Sequence, residues 1–122
     1  MRILHVTPYY EDAWAYGGIP RVAGALCRGL VARGHEVTVA TTDAWEPDRR
    51  MPRRVRQSVA MDRGGVRVRP FPNLSNGLAH HGQLYLPLGM GRFLRREARG
   101  FDVAHLHALH NVPVSLAARE LT

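Results

Sequence analysis

Residues 19–41 read IPRVAGALCRGLVARGHEVTVAT, a helical pattern followed at once by a strand. Apolar side chains recur at helical spacing and predict one continuous core stripe formed by Ile19, Val22, Ala23, Leu26, Cys27 and Leu30. Pro20 suits the first helical turn, where its missing N–H costs nothing. Gly34 fits the left-handed position just past a helix end. Glu36–Thr41 then supplies a β-type run rich in valine.

Three further strands are expected on either side of this stretch: Arg2–Thr7, Gly65–Phe71 and Asp102–Leu106. Helices are predicted over Leu84–Arg99 and Pro113–Leu121. Strands that alternate with helices or long connections form a parallel sheet with right-handed crossovers. The prediction is therefore an α/β, Rossmann-like, doubly wound parallel sheet with strand order 3-2-1-4.

The size and composition are those of one globular domain. The chain has 122 residues, 45% of them hydrophobic and 22% charged. It contains no apolar run near the roughly 20 residues of a membrane span, and its start is too short in apolar residues for a signal peptide. The single cysteine, Cys27, cannot form an internal disulfide, which favours a reducing cytoplasm.

The net charge of +7 has two interpretations. All 17 basic residues are arginine, which is typical of codon bias in a GC-rich genome. A net positive charge is also typical of proteins that bind nucleic acid or an anionic membrane. For the arginines of the Leu84–Arg99 helix (Arg92, Arg95, Arg96 and Arg99) we favour an ordinary solvated face over a bilayer contact. The arginine-rich segment Thr42–Gly64 is predicted to be a polar, mobile excursion.

Two segments at strand ends carry the candidate site. Gly17 and Gly18 precede the amino end of the first helix, where free N–H groups and the helix dipole favour phosphate. His105 and His107 lie on one face of the fourth strand. We expect His105 to be buried and hydrogen-bonded, and His107 to enter the crevice as a ligand or proton carrier. Strands one and four are neighbours in a 3-2-1-4 sheet, so both segments should meet at its carboxyl edge.

Other chemistries have weaker support. His105, His107 and His110 form an H-x-H-x-x-H run, but no carboxylate or cysteine accompanies it, so no metal site is predicted. Neither a dinucleotide fingerprint nor a P-loop is present. A nucleotide-binding domain of the flavodoxin or dehydrogenase type therefore remains a weaker alternative, for which Asp43 after the second strand is only a hint.

Four segments together resemble the amino-terminal domain of retaining glycosyltransferases of family 4, also called group 1. They are residues 1–8 (MRILHVTP), 17–22 (GGIPRV), 30–39 (LVARGHEVTV) and 101–107 (FDVAHLH). The resemblance implies the two-domain GT-B fold. It also implies transfer of a sugar from a nucleotide-sugar donor to an acceptor with retention of configuration.

The same resemblance assigns roles to residues and partners. Gly17 and Gly18 would lie against the donor diphosphate and the transferred sugar, and His107 would be the catalytic residue that hydrogen-bonds that sugar. It implies a nucleotide-sugar co-substrate, a sugar or lipid-linked acceptor, and no cofactor, bound metal or nucleic acid. The expected setting is a bacterial cytoplasm, with peripheral contact at the inner face of the membrane.

The chain also departs from that family. Residues 1–122 correspond to part of the acceptor-side domain, without the second, nucleotide-sugar-binding domain and its paired glutamates. Pro20 stands where the family often has an acidic residue. We therefore expect no turnover from these residues alone, and an open edge at the fourth strand that favours self-association. The alternative function is a non-catalytic basic α/β module that binds nucleic acid or an anionic membrane.

Overall fold

The computed structural model describes residues 1–7, 19–42, 44–46, 49–50, 65–71, 89–107 and 112–121. The strands are β1 (Arg2–Val6), β2 (Glu36–Thr42), β3 (Ala44–Glu46), β4 (Arg49–Arg50), β5 (Val66–Phe71) and β6 (Val103–Leu106). The helices are α1 (Ile19–Ala32), α2 (Met90–Glu97) and α3 (Val112–Leu121), and a 3₁₀ turn, Ala98–Gly100, follows α2.

The main sheet has four parallel strands in the order β5-β2-β1-β6. This is the 3-2-1-4 order once the short pair β3 and β4 is set apart, so the predicted Rossmann-like α/β fold is confirmed. The central strand β1 pairs with β2 on one side and with β6 on the other. The carboxyl ends of β1 and β6 are therefore adjacent.

Helices cover both faces of this sheet. On one face α1 packs over β2 and β5 in a buried cluster of Ala23, Cys27, Val37, Val39, Val66 and Val68. On the other face α2 and α3 close a second cluster of Leu4, Val6, Ala40, Met90, Leu94 and Ala117. Side chains along β2 alternate between the two clusters, so Val39 faces α1 and Ala40 faces α2 and α3.

The buried face of α1 differs from the predicted stripe. Val22 is 65% exposed and Leu26 is 38% exposed, so neither belongs to the core. The other described members of the stripe are confirmed, since Ala23 and Cys27 are buried and Leu30 packs against the core. Gly24 is buried beside them.

Helix α2 has the solvated basic face that we favoured. Met90 and Leu94 are buried, whereas Arg92, Arg95 and Arg96 are exposed. The first residues of the predicted helix, 84–88, lie outside the described part of the chain. Among the described helices, none combines the length and the apolar character needed to cross a membrane.

The segment Thr42–Gly64, which the sequence predicts to be a mobile excursion, contains regular structure in its described residues. Thr42 extends β2 and pairs with Phe71, and β3 pairs with β4 in an antiparallel ladder. A short connection makes such a local pairing cheap in loop-closure entropy. Residues 43, 47–48 and 51–64 lie outside the described residues.

Candidate functional site at the carboxyl edge of the sheet

The parallel pairing of β1 with β6 gathers three histidines on one face. His5 lies opposite His105 in the register of the two strands. His107 follows β6 directly and, two residues beyond His105, lies on the same face. The ring centroids of His105 and His107 are 4.1 Å apart, and each lies 5.1 Å from the His5 ring. We call His5, His105 and His107 the three-histidine cluster.

His107 is held in place by two contacts to β1. Its backbone N–H donates to the carbonyl oxygen of Val6 at 2.8 Å, which continues the sheet ladder past the end of β6. Its side-chain Nε2 lies 2.8 Å from Nδ1 of His5 in a hydrogen bond between the two rings. His5 is 1% exposed and His107 is 9% exposed. The imidazole of His107 is therefore fixed at the carboxyl edge.

Burial keeps the two bonded imidazoles neutral. The pKa of His5 is lowered to about 4, mainly by desolvation and secondarily by the neighbouring His107 and His105. The pKa of His107 also falls to about 4, mainly through burial and secondarily through His105. A neutral imidazole has one donor and one acceptor nitrogen. Near pH 7 the hydrogen bond between the two rings therefore joins the N–H of one imidazole to the lone pair of the other.

The environment of His5 indicates which ring donates. Its Nε2 is buried and has no hydrogen-bond partner among the described residues. A buried N–H without a partner is rarer in proteins than an unused lone pair. The favoured tautomer of His5 thus carries its hydrogen on Nδ1 and donates to Nε2 of His107. His107 then carries its own hydrogen on Nδ1, which remains available to a ligand.

Two of the predicted positions can be compared with the structure. His107 lies at the carboxyl end of β6, as expected, while its ligand-binding role stays a prediction. The expectation that His105 is buried was wrong, because its side chain is exposed. The reason is that β6 is an edge strand: among the described strands it pairs only with β1, and Val103 on it is 44% exposed.

The predicted glycine pair, Gly17 and Gly18, lies outside the described residues, as do Asp43 and His110. Helix α1 nevertheless begins at Ile19, directly after the glycines. In a right-handed crossover the helix runs back along the sheet, so its amino end lies near the carboxyl ends of the strands. The end of β1 and the start of α1 therefore both lie at the edge that carries His107.

Sequence reasoning missed two polar residues of this edge. His5 was not singled out, because its position opposite His105 depends on the register of β1 and β6, which the sequence pattern does not give. Thr41 lies on β2 two residues after Val39, which pairs with His5, so Thr41 is on the same face as the cluster. Its hydroxyl oxygen is buried and has no hydrogen-bond partner among the described residues.

A parallel 3-2-1-4 sheet with polar side chains gathered at its carboxyl edge defines a Rossmann-like domain with a candidate ligand site at that edge. The profile described as "Glycosyl transferase 4-like domain" matches residues 17–122. The chain belongs to this glycosyltransferase family, as its motifs indicated. The searches of curated proteins and of solved structures return no match.

Proposed function

We propose that this domain is the acceptor-side half of a retaining glycosyltransferase, in which His107 hydrogen-bonds the sugar being transferred. The observation that carries the proposal is the fixed position of His107 at the carboxyl edge, bonded to His5 at 2.8 Å. In open α/β sheets ligands bind in the crevice at that edge. Membership of the glycosyltransferase family supplies the reaction class.

The chemistry follows from neutral donors and acceptors placed beside the reacting sugar. The bond from the anomeric carbon to the diphosphate breaks, a bond to an acceptor hydroxyl oxygen forms on the same face, and the proton of that hydroxyl passes to the departing diphosphate oxygen. Nδ1 of His107 orients a sugar hydroxyl. Backbone N–H groups at the amino end of α1, with Gly17 and Gly18 allowing close approach, stabilise the departing diphosphate.

The proposal divides the work between two domains. This domain binds a sugar or lipid-linked acceptor, and a second GT-B domain holds the nucleotide of the donor. No cofactor beyond the nucleotide-sugar co-substrate is needed, and the cytoplasm is the proposed compartment. Residues 1–122 alone should therefore show no sugar turnover.

The experiment compares His107→Ala with His35→Ala in a protein that joins this domain to a carboxyl-terminal domain of the same family. Sugar transfer is assayed with a panel of nucleoside-diphosphate sugars, and folding is checked by circular dichroism. His35 lies at the opposite edge, with Nδ1 3.2 Å from the terminal ammonium of Met1. We expect His107→Ala to lose about 100-fold in turnover, a typical loss for one preorganised polar contact. Equal activity in the two variants would remove His107 from the site.

A second candidate function rests on the basic face of α2. Arg92, Arg95 and Arg96 are exposed, as a module that binds nucleic acid or anionic membrane would require. One of them is already engaged, since Arg95 lies 3.4 Å from the carboxylate of Glu120. Binding to DNA or anionic vesicles that weakens steeply with salt, without sugar transfer in the two-domain protein, would favour this alternative.

A further inference from the structure

The three-histidine cluster brings one ligand-capable nitrogen from each imidazole within 4.8 Å of the other two. Two neighbouring strands supply them: β1 contributes His5, and β6 with the residue after it contributes His105 and His107. We propose that this cluster binds a first-row transition-metal ion such as Zn²⁺ through three imidazole nitrogens, with the fourth position open to water or an oxygen ligand.

The spacing lies close to what such an ion requires. With Zn–N bonds of about 2.0–2.1 Å in a tetrahedral site, two ligand nitrogens stand about 3.3 Å apart. Nδ1 of His5 and Nε2 of His107 are 2.8 Å apart, so this pair must open by about 0.5 Å. The farthest pair, at up to 4.8 Å, must close by about 1.5 Å. His105 is exposed, so its side chain is free to make most of that movement.

Two of the three ligand atoms already lie in direct contact. Nδ1 of His5 and Nε2 of His107 are joined by the hydrogen bond of 2.8 Å, so both nitrogens point into the same space. His5 is 1% exposed and His107 is 9% exposed, so both rings are held in place by their surroundings. An ion bound here would replace that hydrogen bond and accept one lone pair from each ring, and the hydrogen of His5 would move to its Nε2, which has no partner among the described residues.

The donor set selects the class of ion. Imidazole nitrogen suits Zn²⁺, Cu²⁺, Ni²⁺ and Co²⁺, whereas Mg²⁺ and Ca²⁺ prefer oxygen ligands. Three histidines and one open position are the arrangement of a Zn²⁺ site that keeps a place for water or substrate. The run His105, His107 and His110 did not indicate a metal by itself, because the third imidazole comes from β1. The proposal is independent of sugar transfer, since it concerns metal binding by residues of this chain alone.

The experiment uses untagged, chelator-treated protein of residues 1–122. Isothermal titration with Zn²⁺, Ni²⁺ and Mg²⁺ measures affinity and stoichiometry, and Co²⁺ absorption reports coordination by nitrogen. We expect one Zn²⁺ per chain, no measurable Mg²⁺ binding, and a visible Co²⁺ band typical of four-coordination. His105→Ala should bind Zn²⁺ at least 100-fold more weakly while keeping its circular dichroism spectrum, because His105 is exposed.

Two control variants locate the site. His35→Ala, at the opposite edge of the sheet, and the double variant His80→Ala/His81→Ala should both bind Zn²⁺ like the unchanged chain. The proposal is wrong if the unchanged chain does not bind Zn²⁺, if His105→Ala binds it equally well, or if Mg²⁺ binds with the same affinity. Loss of binding in the double variant instead would assign the ion to His80 and His81.

Discussion

Gly65 combines two constraints that a single methyl group would violate. It precedes β5 with a φ of +83°, in the left-handed region that alanine adopts at a cost. A Cβ at this position would lie 2.6 Å from Cγ1 of Val31 on α1. Val31 packs against the core cluster between α1 and the sheet. Gly65→Ala should therefore have two effects: it strains the backbone of residue 65, and it pushes α1 away from β5.

Two other glycines allow the two costs to be separated. Gly34, after α1, has a φ of +90° with nothing within 4 Å of an added Cβ, so Gly34→Ala should lose about 1–2 kcal/mol of stability. Gly65→Ala adds overpacking against Val31, a β-branched side chain with one favoured helical rotamer, and should lose about 2–5 kcal/mol. Gly29, inside α1 with open space around it, should gain about 0.5–1 kcal/mol as alanine.

The assay is urea unfolding of the three variants and the unchanged protein, followed by far-ultraviolet circular dichroism. Equal dependence of the unfolding free energy on urea would show that the change lies in stability and not in the unfolded state. The expected order of stability is Gly29→Ala, unchanged protein, Gly34→Ala and then Gly65→Ala. If Gly65→Ala proves no less stable than Gly34→Ala, the close approach of α1 to β5 at this position is refuted.

Three further predictions concern stability and association. Leu94→Ala should cost about 2–5 kcal/mol in thermal unfolding, because it empties a buried site, whereas Arg92→Ala on the exposed face should change little. The pKa values of His5 and His107 are lowered from the ordinary 6.5 to about 4, so the unfolded chain takes up protons on these rings before the folded protein does. In the presence of a chelator, the free energy of unfolding should therefore be highest above pH 6.5 and fall as the pH drops toward 4. His107→Gln should flatten that fall, and an unchanged pH profile would contradict the burial argument. Among the described strands β6 pairs only with β1. This edge should promote self-association that Val103→Lys reduces, measured by light scattering; a clean monomer in the unchanged protein would contradict it.

The fold was accessible from sequence because its signals are local. Helical spacing over residues 19–34 and the valine runs of β2 and β5 identify their elements without tertiary information. The strand order 3-2-1-4 came from the doubly wound class of sheet, in which these four strands take that order. The side of α1 that faces the sheet followed only in part, since Ala23 and Cys27 are buried as predicted whereas Val22 and Leu26 are exposed.

The site was accessible only in part. Its place at the carboxyl edge came from the strand pattern, and His107 lies there. The bond from His107 to His5 joins residues 102 positions apart and depends on the register of two strands, which no local pattern encodes. The exposure of His105 depends on what covers the outer side of β6, and this too is a tertiary property.

Direct contact between His107 and the transferred sugar can be observed by nuclear magnetic resonance of the imidazole nitrogens. The two-domain protein, labelled at histidine, is titrated with a nucleoside-diphosphate sugar that it turns over. The ring nitrogens of His107 should shift as the donor saturates, and those of His35 at the opposite edge should not. A saturating donor that leaves the His107 ring unchanged would contradict the placement of sugar transfer at this edge.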